Sequence, residues 1–318
     1  MTETGVIKLW GASLATVAVA LALVLPVLPR TAHAAFPGTN GKIAFYKYVA
    51  GQHDNIFDAN PNGTGLQQIT SYKTNEYSPA WSPDGKRFLF EKLSANHDSE
   101  IRNTEIVLKD IQTGTTRRLT RNNDYDLAPA FSPDGTKLVF ARNSGSSRAI
   151  YTMNLNGTGV HRLTDGTDLC DNPAWSPNGR KIAFERNGQL WVMDADGTDQ
   201  KKLTTNTSKL EEYPDWSPEG TEIAFERVPA NNGSEIYAIK SDGTGLRNIT
   251  NTPNVYESNP VYSPNGNRIV FTRLDNQTSL NDIWTASAAE GSNPTQVTNT
   301  PNEDEFAPSW QPLHHWSQ

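Results

Sequence analysis

Short apolar runs alternate with polar, turn-forming segments along nearly the whole chain after residue 40. Ile182-Ala183-Phe184, for example, follows a Ser-Pro-Asn-Gly segment and precedes the apolar pair Leu190-Trp191. Apolar runs of this length, bounded by Gly, Pro, Asn and Ser, predict β-strands joined by tight turns. The pattern therefore favours an all-β fold without long helices.

One segment recurs five times, as Pro-x-aromatic-Ser-Pro-(Asp/Asn/Glu)-Gly followed by an apolar strand. The copies are Pro79–Gly85, Pro129–Gly135, Pro173–Gly179, Pro214–Gly220 and Pro260–Gly266. We call the aromatic residue of each copy the anchor; successive anchors are 50, 44, 41 and 46 residues apart. A period near 45 residues is typical of a four-stranded propeller blade.

The ends of the repeats give the number of blades and the way the ring closes. Six apolar-Thr pairs mark the ends of fourth strands: Ile69-Thr70, Leu119-Thr120, Leu163-Thr164, Leu203-Thr204, Ile249-Thr250 and Val297-Thr298. Gly41–Phe45 resembles a second strand without a first, and Pro308–Pro312 resembles a first strand without a second. We therefore predict an all-β, six-bladed β-propeller of four-stranded antiparallel blades, closed by the C-terminal strand joining the first blade.

The blade boundaries follow from the same pattern. They are residues 41–70 with 304–312, then 76–120, 125–164, 168–204, 210–250 and 256–298. Within each blade the strands are named A to D in the order of the repeat, with the anchor on strand A.

Residues 1–34 have the form of a secretory signal peptide. An apolar run from Leu9 to Leu28 precedes Ala32-His33-Ala34, the small-residue pattern cleaved by signal peptidase. Cleavage after Ala34 would leave a propeller domain of residues 35–318 without a transmembrane span. An uncleaved membrane anchor is the alternative, because the apolar run approaches the length of a span. We predict a secreted, periplasmic or cell-envelope protein.

Composition narrows the class of partner. The chain carries a formal net charge of -7 and lacks the basic surface that neutralises phosphates, so nucleic acid is not expected. The single cysteine, Cys170, excludes an intramolecular disulfide, and we expect it to be a small buried residue. No G-x-S-x-G nucleophile motif and no phosphate-binding glycine loop is present.

The five repeats resemble the WD40-like (PD40) repeat of TolB-like propellers, whose signature is P-x-W-S-P-D-G followed by I-A-F. The resemblance covers essentially the whole chain after the predicted signal peptide. It implies a six-bladed propeller that acts as a protein-binding scaffold in the cell envelope. The resemblance concerns the propeller repeats and includes no counterpart of the N-terminal α/β domain that accompanies the propeller in TolB, so we do not expect from it a place in that transport system.

Acidic residues recur five positions before the anchors, where Trp310 of the C-terminal segment is the anchor of the first blade. Including Asp171, which stands beside Cys170 in the fourth blade, the set is Glu76, Asp126, Asp171, Glu211, Glu257 and Glu305. On strands A these carboxylates would surround one mouth of the central channel. Such an acidic rim would attract a cation or a basic peptide, with an affinity that falls as salt rises.

A structural interpretation of the same acids is also open. A base stands near the end of every strand B: Lys47, Lys92, Arg142, Arg186, Arg227 and Arg273. Antiparallel neighbours of opposite charge would then form a repeated set of ion pairs between strands A and B. The two interpretations are compatible.

Two pairs of residues are candidate metal ligands. His53-Asp54 and His97-Asp98 occupy the B-to-C loops of adjacent blades, and convergence of their side chains would suit zinc or a similar ion. The segment Asp194–Asp199 resembles a calcium loop but lacks the bidentate Glu, and turn chemistry explains it.

Two functions of different classes follow. The first is a non-catalytic, monomeric binding scaffold that needs no cofactor and engages a protein or basic peptide at the acidic face. The alternative is a metal-dependent polysaccharide lyase or glycosidase that uses the channel mouth. A purely structural module without a specific ligand is a third interpretation.

Overall fold

The computed structural model describes residues 36–49, 51–95, 102–205, 209–229, 233–275, 278–289 and 293–313. The predicted signal peptide lies outside these ranges. Among the described residues, no helix has the length and apolar character needed to cross a lipid bilayer.

The described strands form six four-stranded antiparallel sheets. In blades 1 to 3 the strands, in the order A to D, are β24 (Glu303–Leu313), β1 (Thr39–Val49), β2 (Asn55–Ala59) and β3 (Gln67–Gln68); β4 (Glu76–Trp81), β5 (Arg87–Ala95), β6 (Arg102–Asp110) and β7 (Thr116–Arg118); β8 (Tyr125–Phe131), β9 (Lys137–Ser144), β10 (Ser147–Asn154) and β11 (His161–Arg162). In blades 4 to 6 they are β12 (Cys170–Trp175), β13 (Lys181–Arg186), β14 (Gln189–Asp194) and β15 (Lys201–Lys202); β16 (Leu210–Trp216), β17 (Glu222–Val228), β18 (Glu235–Lys240) and β19 (Arg247–Asn248); β20 (Glu257–Tyr262), β21 (Arg268–Leu274), β22 (Asn281–Ser287) and β23 (Thr295–Gln296).

The predicted fold is confirmed, including closure of the ring by the C-terminal strand. β24 pairs with β1, with Trp310 opposite Ile43 and Glu305 opposite Lys47. Each strand A also contacts strand A of the next blade, so these six strands surround the central axis. Without β24, strand β1 would be an unpaired edge of the blade 1 sheet, so this pairing removes an open sheet edge.

The core consists of six apolar clusters, one between each pair of neighbouring blades. Between blades 4 and 5, for example, Ala183 and Leu190 of one blade pack against Trp216, Ile223 and Phe225 of the next. The anchors are buried in these clusters, where each wide aromatic side chain fills the space between two sheets. The repeat therefore encodes the packing of one blade on another.

The Ser-Pro-Asp-Gly segment forms the turn between strands A and B. In blade 2 the Gly85 amide donates to the Ser82 carbonyl at 2.9 Å, and Gly85 has a φ of 66°. The Ser82 hydroxyl donates to Asp84 and accepts from the Arg87 amide. Glycine suits this position because other residues adopt a positive φ only with strain.

Every strand A carries the same irregularity three residues before its anchor. The residues with positive φ are Ser78, Ala128, Asn172, Tyr213, Asn259 and Ala307, and the pairing of strands A and B shifts register there in all six blades. A β-bulge inserts one residue and re-aims the side chains beyond it. It therefore determines which strand A side chains lie between blades and which face the channel.

Candidate functional site at the channel mouth

The predicted acidic residues do not form an exposed rim. Glu76, Asp126, Glu211, Glu257 and Glu305 are all fully buried, and Cys170 occupies the equivalent buried position in blade 4. This placement corrects the expectation of carboxylates open to the channel. The residues are instead enclosed between strand A of one blade and the end of strand D of the preceding blade.

A repeated hydrogen-bond network holds these carboxyl groups. In blade 5 the Thr204 hydroxyl, at the end of blade 4, donates to Glu211, and Arg227 donates to the same carboxylate at 2.6 Å. Arg227 also lies over the rings of Phe225 and Tyr237, at 5.7 and 4.9 Å from their centroids. Such a paired and hydrogen-bonded charge is tolerated in the interior. The arrangement links consecutive blades.

The ion pairs predicted between strands A and B are confirmed in three blades. Asp126–Arg142, Glu211–Arg227 and Glu257–Arg273 have N–O distances of 2.6, 2.6 and 3.5 Å. The first blade differs, because Lys47 bonds Glu303 at 2.7 Å. The acids and bases of these strands thus serve largely to stabilise the ring.

Burial raises the pKa of several of these carboxyl groups. Desolvation raises the pKa of Glu76 to about 7, against the opposing effects of the Thr70 and Thr74 hydroxyls. Burial likewise raises the pKa of Glu257 to about 7, and Arg273 lowers it only in part. Burial also raises the pKa of Glu305 to about 7, with a further contribution from the neighbouring charge of Asp282, whose own pKa burial raises to about 6.

Asp171 lies one residue closer to the anchor than the other five acids, and its environment differs. It stands opposite Glu185 on strand B and bonds Arg148 at 2.6 Å. In blade 5 the equivalent residue is Glu212, which stands opposite Glu226. Like charges directly opposite each other on a sheet destabilise the pairing, so Glu212 and Glu226 form an unfavourable pair, whereas Arg148 compensates the charge of Asp171 in blade 4.

In blades 5, 6 and 1 the residue at this position is half-buried and lines a shared cavity, whereas Asp171 is buried. Glu212, Ser258 and Phe306, each four residues before an anchor, line one cavity although they come from three successive blades. The cavity has a volume of about 260 Å³, and Glu226 and Tyr256 also line it. Acidic side chains therefore do line this cavity, but they are Glu212 and Glu226 and not the predicted Glu211.

Exposed apolar side chains recur at one position near the channel mouth. In four consecutive blades the residue six positions before the anchor is a large apolar or aromatic side chain with an exposed fraction between 39% and 52%. These residues, which we name the apolar ring, are Tyr125, Leu169, Leu210 and Tyr256. They lie where strands A begin, at the channel mouth formed by the D-to-A and B-to-C loops. Clustered exposed apolar residues mark interaction surfaces.

The apolar ring is not among the residues predicted from the sequence. Its signal was present, because Tyr125, Leu210 and Tyr256 each directly precede one of the predicted acids, inside otherwise polar loops. Repeated acids are strong candidates for a binding site, whereas single apolar residues in loops are common. Only the recurrence at one position of four successive blades distinguishes them.

His53 and Asp54, two of the candidate metal ligands, do not belong to a group of potential ligands among the described residues. His53 Nδ1 is 3.2 Å from the Asn75 Oδ1 atom, and Asp54 is buried beside Tyr77, with burial raising the pKa of its carboxyl. His97 and Asp98 fall outside the described residues. Within the described ranges, no three His, Cys, Asp or Glu side chains are grouped to hold a metal ion.

The segment resembling a calcium loop is a turn between strands C and D. The Gly197 amide donates to the Asp194 carbonyl at 2.9 Å, and Asp196 accepts from both the amide and the hydroxyl of Thr198. These bonds use the Asp196 carboxylate within the turn. Cys170 is buried as expected, with desolvation raising the pKa of its thiol.

A second cavity of about 800 Å³ opens on the opposite face, between blades 3 and 4. Turn residues such as Asp134, Asn178 and Asp196 line it together with His161. Their carboxylate and amide groups largely bond within their own turns. The polar groups of this cavity therefore mainly stabilise the turns that carry them.

Similarity to solved structures agrees with this architecture. TolB from Acinetobacter baumannii is 23% identical, with a TM-score of 0.72 over 86% of this chain and 67% of that one. The putative TolB from Agrobacterium tumefaciens is 18% identical, with a TM-score of 0.62 over 86% of this chain and 99% of that one. An oligogalacturonate lyase in complex with manganese is 14% identical, with a TM-score of 0.60 over 85% and 78%. At these identities the likeness concerns the fold.

Sequence comparisons give the family. A 35-residue segment is 51% identical to dipeptidyl-peptidase 5 of Porphyromonas gingivalis, and it covers 11% of this chain and only 5% of that enzyme. The family model of the TolB β-propeller domain (PD40) matches residues 41–314, which is nearly the whole described ring. The chain therefore belongs to the TolB β-propeller (PD40) family.

Proposed function

We propose that the protein is an exported, monomeric, non-catalytic scaffold whose channel mouth binds a protein or peptide. The observation that carries this proposal is the apolar ring of Tyr125, Leu169, Leu210 and Tyr256 together with the acids of the cavity that Tyr256 lines. Exposed aromatic and leucine side chains supply contact area, and the enclosed carboxylates supply charge selection. Membership of the TolB propeller family supports a binding role in the cell envelope.

The proposed role requires no metal or cofactor. The apolar ring spans four consecutive blades, and the proposed role uses its contact area together with the charge of the acids, without a nucleophile or a metal ion. An extracellular or periplasmic location follows from the predicted signal peptide of residues 1–34, and TolB-like relatives support an envelope location.

The test compares two variants of the purified full propeller as baits. The ring variant is Tyr125→Ser, Leu169→Ser, Leu210→Ser and Tyr256→Ser. The matched control replaces three exposed apolar residues of C-to-D turns on the opposite face, as Leu66→Ser, Val160→Ser and Leu246→Ser. Each bait is incubated with an envelope extract from the source cells, and retained proteins are quantified by mass spectrometry.

We expect a defined set of proteins to be retained by the wild type and by the control variant, and lost from the ring variant. Equal retention by all three baits would contradict the proposal that the channel mouth is the binding surface. Circular dichroism and thermal unfolding of each bait establish that the propeller is folded in all three proteins.

A further inference from the structure

The cavity at the channel mouth is enclosed by blades 5, 6 and 1. Its lining combines two acids with apolar and neutral polar groups: Glu212, Tyr213, Glu226, Ser234, Tyr256, Ser258, Asn259, Leu274, Asn281 and Phe306. A volume of about 260 Å³ exceeds that of a single water several-fold. The cavity can therefore take a side chain of a binding partner.

Glu226 is the unusual member of this lining. Its side chain is 7% exposed, and its Oε2 atom has no hydrogen-bond partner. A buried carboxylate oxygen without a donor costs free energy, because the water that would solvate it has been removed. The charge of Glu212, which faces Glu226 across the strands, raises the cost further.

The nearest base on the same strand is already engaged elsewhere. Arg227 follows Glu226 directly, and alternation along β17 directs it to the other face of the sheet. There it bonds Glu211 at 2.6 Å. Arg227 therefore does not donate to the Oε2 atom of Glu226. A positive charge at that atom would stabilise the acidic pair of Glu212 and Glu226.

The apolar part of the lining indicates the shape of the donor. Tyr256, which is 48% exposed, lines the cavity together with Leu274, whose amide donates to the Tyr256 carbonyl at 2.9 Å, and Phe306 of blade 1 also lines it. An alkyl stem can pack along such side chains while its charged end reaches deeper. A lysine has a compact ammonium group with three donors on a flexible four-carbon stem.

We propose that this cavity binds the primary ammonium group of a lysine side chain presented by the partner, with Glu226 as its counter-ion. Glu212 contributes a second negative charge, and Tyr256 and Phe306 pack against the methylene stem. This inference rests on the proposed binding function and deepens it, because it specifies one residue type that the partner carries at the channel mouth.

The probe for this inference is Nα-acetyl-lysine N-methylamide, and its matched control is the norleucine analogue, which has the same stem length without the ammonium group. Binding of each to the full propeller is measured by ligand-observed saturation-transfer NMR with titration. We expect the titration with the lysine probe to reach saturation. The affinity of the norleucine probe should be at least about tenfold lower, because it cannot form the charge-assisted hydrogen bond to the buried carboxylate.

The protein variants are Glu226→Gln, which is isosteric, and Glu222→Gln, which makes the same change at the opposite end of β17. We expect about a tenfold loss of lysine binding in the first and unchanged binding in the second. Glu226→Gln also relieves the like-charge pair, so it should fold; Glu212→Gln provides a second variant with a smaller expected loss.

Equal binding of the lysine and norleucine probes, or unchanged lysine binding in Glu226→Gln, would overturn the inference. Either result leaves the proposed function intact if partner capture still depends on the apolar ring. The converse result is lysine binding through Glu226 together with partner retention that is the same with and without the apolar ring. The proposed function then fails, and the cavity is still a site for an ammonium group.

Discussion

Thr298 Oγ1 donates a hydrogen bond to Glu305 Oε2 at 2.8 Å and accepts one from the Ile283 amide at 2.9 Å. Ile283 and Thr298 belong to blade 6, whereas Glu305 lies on the C-terminal strand A of blade 1. One hydroxyl thus connects two strands of the last blade to the strand that closes the ring. Thr70 makes the equivalent pair of bonds, with the Ile56 amide and with Glu76.

Replacing Thr298 by Val should destabilise the closed ring. The side chain keeps its shape, but the Ile283 amide and the Glu305 carboxyl each lose a partner in a buried environment. We expect the free energy of unfolding to fall by about 1–3 kcal/mol, measured by urea denaturation. Thr298→Ser retains the hydroxyl and should lose much less; an equal loss in both variants would contradict a role for the hydrogen bonds.

The raised pKa values predict that stability falls as the pH rises. The pKa of Glu257 in the folded protein is about 7, above its ordinary value of 4.5, because burial disfavours the charged form. The folded state therefore holds this proton more tightly than the unfolded state. The resulting stability is fully present below about pH 4.5 and is lost as the pH rises through about 7.

Glu257→Gln isolates this contribution, because glutamine remains neutral like the protonated acid. Chemical denaturation at a series of pH values between 5 and 8 should show a smaller decline for the variant than for the wild type. Glu219, in the exposed A-to-B turn of blade 5, provides the control substitution Glu219→Gln. Parallel pH profiles of the wild type and Glu257→Gln would contradict the raised pKa.

The fold could be predicted because the sequence motif of each blade is repeated along the chain. Five copies of the anchor motif and six apolar-Thr endings give the blade count, and an error in one copy would be corrected by the others. The candidate site could not be placed with the same accuracy. The bulge at Ser78, Ala128 and their equivalents inserts a residue into strand A, and a shift of one residue moves a side chain to the other face.

Asp171 shows this effect directly. Blade 4 has Cys170 at the position of Glu76, opposite Arg186, and Asp171 stands one residue further on, opposite Glu185; both residues are buried. Both positions carry acids in this chain, as Glu211 and Glu212 do in blade 5. Residue type alone therefore does not distinguish a carboxylate enclosed by threonine and arginine from one that lines the cavity.

Ring closure makes one turn glycine more sensitive to substitution than its equivalents. A Cβ atom added to Gly85 would collide with the Pro312 carbonyl oxygen on the C-terminal strand, and the Gly85 carbonyl accepts a bond from Gln311 at 2.7 Å. A Cβ atom added to Gly135, the same turn position in blade 3, would have its nearest neighbour at 3.8 Å. Both glycines have a φ of 66°.

Gly135→Ala should thus cost only the strain of a positive φ, about 1–2 kcal/mol of unfolding free energy. Gly85→Ala should cost at least about 1 kcal/mol more, because the closing strand must move. Urea denaturation of the two variants measures the difference. Equal costs would indicate that the C-terminal strand adapts freely to the turn of blade 2.

The predicted signal peptide gives a direct test of export. Cleavage after Ala34 would produce a mature chain beginning at Ala35, and intact-mass spectrometry of protein from the source cells measures this. Ala34→Lys should block processing, because signal peptidase requires a small residue there, whereas Ala34→Ser should be tolerated. A wild-type mass that retains residues 1–34, with the protein in the membrane fraction, would instead support the anchor interpretation.

Metal content separates the proposed scaffold from the lyase or glycosidase alternative. The scaffold uses no metal, and His53 is already within 3.2 Å of Asn75, so we expect well below one equivalent of zinc, manganese or calcium after dialysis without chelator. Elemental analysis of the purified mature protein makes the measurement. About one equivalent that disappears in His53→Ala together with His97→Ala would favour the alternative, because it would require the two loops to converge on a common ion.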